Sequence, residues 1–245
     1  MLSGPPVSRA IPADQLLDRF LTAASRQRRS QLGVIRQRFP ELLPLIPEVL
    51  ARADRTGEDW APAWLLQLAL AGAAGSTGPS LLDAYPGGWL QAGSASGLDY
   101  APLQHHLALQ DFEAADRLTS EHLRQLAGSA AVARGYVYFS EVAAISDLDL
   151  ESLDRLWLVY SQGRFGFSVQ GRLLAACGGQ WERLWQKLGW KSEGVWTRYP
   201  HAFTWSLEAP EGHMPLINQL RGVRLMDALQ RHPALAARIA RSLAA

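Results

Sequence analysis

Apolar residues recur at helical spacing along most of this chain. Leu16, Leu17, Phe20 and Leu21 form a stripe that predicts a helix over residues 12–38, and Leu42, Leu45, Ile46, Val49 and Leu50 form another after Pro40 and Pro44. No charged residue appears from Trp60 to Leu82, but Pro62, Gly72, Gly75 and Pro79 interrupt that run. Its unbroken apolar part is roughly half of the ~20 residues a membrane span needs, so a buried core helix around Trp64–Ala71 is expected. Strand-period alternation is absent here, and residues 1–90 read as a small antiparallel helical bundle. The small residues of Gly87–Gly97 then read as an exposed linker.

The second domain, residues 98–245, is predicted to be helical as well. Leu103 and Leu107, then Phe112, Ala115, Leu123 and Leu126, mark a helix pair ended by Gly128. No second copy follows at a ~34-residue period, so a repeat solenoid is not expected. A loop carrying Arg134, Tyr136, Tyr138 and Phe139 comes next. Leu153, Leu156, Trp157 and Tyr160 then share a buried face that stops at Gly163, and Trp181, Leu184, Trp185 and Leu188 repeat the spacing. In the GRFGFS stretch, Gly163 and Gly166 permit a tight turn and Phe165 and Phe167 pack beneath it. The last helix, Pro233–Leu243, is read with Arg238 and Arg241 on its solvated side. The fold class is all-α.

Between the last helices lies YPHAFTWSLEAPEGHMPLINQLRG, whose three prolines and two glycines forbid a continuous helix. It brings Tyr199, Phe203, Trp205 and Met214 close to Arg221 and Arg224. Aromatic and apolar faces beside cations suit a flat, anionic ligand. The nine tryptophans are the compositional outlier and point the same way, because an exposed indole needs a reason.

Charge changes the picture little. With 24 basic and 23 acidic residues the net charge is +1, so no overall field draws nucleic acid or an acidic membrane. The lone Cys177 excludes an internal disulfide, and the amino terminus lacks the pattern of a secretory signal, which fits a cytoplasmic protein. Phosphate-cradling glycine loops, His-Glu-x-x-His pairs, serine-hydrolase elbows and Cys-x-x-Cys-His haem sites are missing from the sequence. Asp147 and Asp149 stand at a helix start, where they complement the dipole. An accessory binding protein, not an enzyme, is expected.

Three segments, DLDLESLDRLWLVYSQGRFGFSVQ, LGWKSEGVW and FTWSLEAPEGHMP with its following LRG, together resemble the genomes-uncoupled-four family over about residues 98–230. The amino-terminal bundle resembles the extra helical domain of cyanobacterial members. The resemblance implies a cupped helical domain that binds protoporphyrin IX and magnesium protoporphyrin IX without requiring a cofactor. It also implies stimulation of magnesium chelatase in chlorophyll biosynthesis, with the large porphyrin-binding subunit of that enzyme as partner. A monomer is expected, peripherally associated with the thylakoid surface. The family's rim loop corresponds to Tyr199–Pro215, and a polar stretch matches Asn218, Arg221 and Arg224; Met214 stands where leucine is more usual.

Read with the residues, this gives a porphyrin site of Phe139, Tyr199, Phe203, Trp205, Met214, Leu216, Ile217, Asn218, Arg221 and Arg224. Phe203 is the preferred ligand contact, Trp205 is equally a core plug, and Leu216 and Ile217 follow Pro215 as the floor. Asn218 offers an oxygen to porphyrin-bound magnesium. Arg221, with Arg224 one turn along, is the propionate partner. His213 is read as a backbone-bonding or exposed residue, not a haem ligand. The competing reading is a helical protein–protein scaffold without ligand, docking through the arginine-rich amino-terminal bundle and the helix pair ended by Gly128.

Overall fold

The computed structural model describes residues 11–72, 81, 83–216 and 223–244. Helices dominate them, and they fall into two compact units, one ending at Ala53 and the other starting at Asp54. The first unit holds α1 (Ala13–Thr22), α2 (Ser25–Gln37), α3 (Phe39–Leu42), a 3-10 turn (Leu43–Leu45) and α4 (Ile46–Arg52). The single helix expected over 12–38 is broken, because Ala23 and Ala24 are extended, with ψ of 149° and 150°. Alanine has no local reason to break a helix. The break lets Leu16, Leu17 and Phe20 share one small core with Ile35, Phe39 and Leu42, and that burial outweighs the lost helical bonds. Of the arginine cluster, Arg26, Arg29 and Arg36 are exposed, while Arg38 donates to the Ile11 carbonyl and pairs with Glu41, each at 2.6 Å.

The second unit contains α5 (Trp60–Gly72), α6 (Ala101–Ala108), α7 (Phe112–Ala127), α8 (Ser129–Arg134), a 3-10 turn (Phe139–Ala144), α9 (Asp147–Tyr160), α10 (Phe167–Ala176), α11 (Trp181–Lys187), α12 (Val223–Arg231) and α13 (Pro233–Ala244). A two-stranded hairpin, β1 (Lys191–Ser192) against β2 (Val195–Trp196), precedes the aromatic loop. Glu193 and Gly194, both with positive φ, form its turn. Helix α9 is the axis: Leu150, Leu153, Leu156, Trp157 and Tyr160 are buried, with α5, α6, α10 and α13 packed around it. Ser146 caps it, accepting the Asp149 N–H. Asp149 does more than complement the dipole, since its buried carboxylate accepts the Tyr100 hydroxyl at 2.8 Å and the Ser96 hydroxyl at 3.0 Å.

Four features differ from the sequence reading. Helix α5, grouped with the amino-terminal bundle, packs on α9, and its Gln67 Nε2 donates to the carbonyls of Leu107 and Tyr160 at 2.9 and 2.8 Å. The Gly87–Gly97 stretch is no exposed linker: Trp89 and Leu90 are buried, and the Gln104 amide bonds Gly87 and both backbone groups of Leu90. The compact-unit boundary therefore falls at Ala53. The segment 128–145, read as loop, is mostly helical, with α8 leading to a 3-10 turn whose Glu141 carboxylate accepts the Tyr138 N–H at 2.7 Å. Finally, Arg238 is buried on α13 and not solvated. Its Nε meets the Asp154 carboxylate at 2.6 Å, and a second nitrogen meets Glu58 at 2.5 Å.

No helix among the described residues is long and apolar enough to cross a membrane. Cys177 is a buried free thiol.

Candidate functional site

The chain from Thr197 to Leu216 runs irregularly from the hairpin toward α12, as its prolines require. Its far half is pinned. Gly166 donates to the Met214 carbonyl at 3.0 Å, Gly212 to that of Arg164 at 2.8 Å, and the Gln170 amide to those of Gly212 and Pro215 at 2.9 and 2.8 Å. Arg164 reaches the Ala209 carbonyl at 2.6 Å, and the Trp190 indole donates to the His213 carbonyl at 2.8 Å. These anchors lie on α10, the turn before it and the turn after α11, so the GRFGFS turn is the main platform of the loop. Gly212, with φ of +74°, fits because a Cβ there would stand 2.7 Å from Leu188 and 2.8 Å from Leu173.

The near half carries the rings. Tyr199 meets Phe203 and Trp205 edge-on, both at 5.8 Å between centroids, and Phe203 stacks on Trp205 at 5.6 Å. Phe203 also lies 4.9 Å from the His213 imidazole. The Trp205 indole donates to the Pro200 carbonyl at 3.0 Å, closing the loop on itself. Tyr199 stays 43% exposed and Trp205 half-buried, so the cluster keeps an open aromatic surface. Behind it a second aromatic series, Trp181–Trp185–Trp190, stacks at 5.3 and 5.6 Å and includes Trp196 of the hairpin. Of this series Trp190 reaches the loop, through its bond to the His213 carbonyl, while Trp196 on the hairpin and Trp205 on the loop keep open surface.

Two titratable groups sit at the base. His213 is buried; its Nδ1 lies 2.5 Å from the Leu188 carbonyl and therefore carries the proton, and burial lowers its pKa. The backbone-bonding reading of this residue holds. Asp116, on α7, is also buried, and burial raises its pKa to about 7 even though two donors oppose the shift. Those donors are the Leu216 N–H, at 2.6 Å, and the Tyr199 hydroxyl. Nothing in the ordinary helical run DFEAADRL singles Asp116 out; its importance comes from partners about a hundred positions away.

The predicted site residues divide among several places. Tyr199, Phe203 and Trp205 come together. Phe203 is nearly covered while Trp205 keeps surface, which reverses their expected roles, because Phe203 fills the space between Tyr199, Trp205 and His213. Met214 has no exposed surface and packs beneath the loop, so it is no contact in this conformation. Leu216 is half-buried. Phe139, 47% exposed, and Arg224 form a separate pair, the guanidinium 5.5 Å from the ring centre. They meet because the 3-10 turn packs on α12. Ile217, Asn218 and Arg221 lie outside the described residues. The wall expected from Arg134, Tyr136 and Tyr138 is an internal stack, with the Arg134 guanidinium 4.7 and 4.0 Å from the two rings and salt-bridged to Glu141.

A family profile described as GUN4-like matches residues 93–233, which include the α9 axis, the platform and the loop. The Ycf53-like protein of Synechocystis is 53% identical over 149 residues, covering 61% of this chain and 64% of that protein. The tetrapyrrole-binding protein of Arabidopsis thaliana chloroplasts is 43% identical over 143 residues, 55% of this chain and 54% of the relative. The chain thus spans less than two thirds of the length of these relatives. Among solved structures, GUN4 from Chlamydomonas reinhardtii is similar at a TM-score of 0.57 and 37% identity, covering 60% of this chain and 94% of that one.

Proposed function

Because the chain belongs to the GUN4-like family, we propose that it binds a tetrapyrrole at the Tyr199–Phe203–Trp205 loop. The observation that carries this reading is the ring cluster itself, three mutually packed aromatics on a braced loop, two of them with open surface. A macrocycle is a flat π-system that gains by stacking on such a surface. The Phe139–Arg224 pair supplies a second apolar ring beside a cation suited to a propionate carboxylate. The name of the Arabidopsis relative supports the ligand class.

Within that class the ligands are protoporphyrin IX and magnesium protoporphyrin IX. The role is that of an accessory protein that presents or accepts pigment at the large subunit of magnesium chelatase and stimulates it. No bond to the tetrapyrrole is made or broken by this chain. Its residues stack on the macrocycle, neutralise its acid edge and shield it from water, and Asn218 is the oxygen donor offered to a porphyrin-bound magnesium.

Titration of the full chain with protoporphyrin IX and its magnesium complex tests the reading. Tryptophan emission is expected to fall saturably, and Trp205→Ala is expected to weaken binding while leaving the thermal midpoint close to that of the parent. Unchanged emission at tens of micromolar porphyrin would reject the ligand. Addition of the chain to a chelatase assay with the large subunit tests stimulation separately.

A further inference from the structure

Asp116 is the group through which both ends of the loop meet one helix. The residue that opens the aromatic rim, Tyr199, brings its hydroxyl near this carboxylate, and burial together with the carboxylate's charge raises the Tyr199 pKa. The residue that closes the loop, Leu216, donates its backbone N–H to Oδ1 at 2.6 Å. Helix α7 is a rigid place from which to do this. One turn before Asp116, Phe112 stacks on Trp157 at 6.1 Å and meets Phe165 edge-on at 5.7 Å; just after it, the Thr119 hydroxyl accepts the Trp157 indole N–H at 2.9 Å. The carboxylate is therefore held from both sides by the core around α9, while one of the groups it holds lies on the rim.

The chain of contacts continues outward. The Tyr199 ring stands edge-on to Phe203, at 68°, and to Trp205, at 85°, and so sets the pitch of the stacked pair. The near half of the loop has few other ties to the body: the Thr197 N–H donates to the Trp190 carbonyl at its start, and the Trp205 indole bonds only within the loop. Leu216 marks the other end, where the pinned half of the loop gives way to the chain leading to α12.

We propose that Asp116 is a positioning residue for the ligand site, a latch whose carboxylate sets the Tyr199 ring and the exit of the loop against α7 and so controls how readily the rim opens. The ligand-facing part of this inference rests on the tetrapyrrole reading; the latch itself does not. The charged and titratable groups near the carboxylate are Arg117 and Glu113 on its own helix and Tyr199 from the loop. Arg117 is salt-bridged to Glu113 and exposed, so it does not replace the carboxylate as the partner of Tyr199.

Hydrogen exchange on the ligand-free full chain tests the latch, with Asp116→Ala, Asp116→Asn and Tyr199→Phe beside the parent. Asparagine keeps an oxygen that accepts both donors, whereas alanine keeps none. In Asp116→Ala, the amides of Ala202 and Phe203 are expected to exchange roughly tenfold faster, as befits the loss of the Leu216 hydrogen bond and of the carboxylate beside Tyr199, with α9 and α10 unchanged. Tyr199→Phe should reproduce part of this and Asp116→Asn little of it. Uniform acceleration across α9, α10 and the loop, or loop exchange unaltered in folded Asp116→Ala, would overturn the latch. Stopped-flow mixing with protoporphyrin IX then reads the ligand side: faster association and faster dissociation in Asp116→Ala are expected. Parent-like rates alongside the loosened loop would reject the link to binding, and no binding even by the parent would reject the tetrapyrrole reading, while the exchange result stands.

Discussion

The Nε of Arg238 lies 2.6 Å from the Asp154 carboxylate, where the two side chains keep 4% and 0% of their surface. The pair fastens the last helix to the axial one, and Asp154 also accepts the Ser168 N–H at 2.8 Å, tying in the start of α10. Removing one partner leaves a buried charge uncompensated. Arg238→Ala is therefore expected to cost about 3–5 kcal/mol in denaturant unfolding. Arg238→Met combined with Asp154→Asn should recover much of that loss, since no lone charge is then left in the core.

Close packing of α10 on α13 gives a second expectation. A Cβ on Gly171 would stand 2.2 and 2.7 Å from two atoms of Ile239. Alanine normally improves a helix interior by roughly 0.5–1 kcal/mol over glycine. Here overpacking outweighs that gain, and Gly171→Ala should destabilise by about 1–3 kcal/mol, with partial recovery when Ile239 is shortened to valine, which removes the nearer Cδ1 and keeps Cγ1. Thermal unfolding of the two variants measures it.

Asp116 makes stability depend on pH. Its folded pKa, about 7, lies above the ordinary carboxylate value of 3.8, so the folded state holds the proton more tightly than the unfolded chain. The contribution is fully present below about pH 4 and is lost as pH rises through about 7. It amounts to about 4 kcal/mol at most. Asp116→Asn, which stays neutral, should flatten this part of the profile and be more stable than the parent at pH 8. Chemical unfolding of both proteins between pH 5 and pH 8 checks the sign.

For binding, Arg224 is exposed and holds only a ring contact to Phe139 among the described residues. An exposed cation contributes little. Arg224→Ala should weaken porphyrin affinity by roughly two- to fivefold without moving the thermal midpoint; a change in fold stability of the same size would assign Arg224 to the scaffold instead.

How much of this was legible follows from the range of the forces involved. Local periodicity carried the helices of α6, α7, α9 and α11, because an apolar face at i, i+3 and i+4 is written within one stretch. The glycines and prolines likewise announced the turn at Gly163 and the irregular loop after Tyr199. Sequence motifs in order were enough for the family, and loop composition for an aromatic cluster.

What the sequence by itself determined is thus the helical class, the family and the irregular, ring-bearing stretch after Tyr199. Tertiary structure alone decided that α5 packs on α9, that Phe203 is covered while Trp205 keeps surface, that Arg238 lies inside, and that Asp116 is buried against the Leu216 N–H. Each of these depends on a partner dozens of positions or more away, or on which of two adjacent rings reaches a cavity first. Burial and hydrogen bonding are settled by such meetings, and an isolated stretch of chain does not encode them.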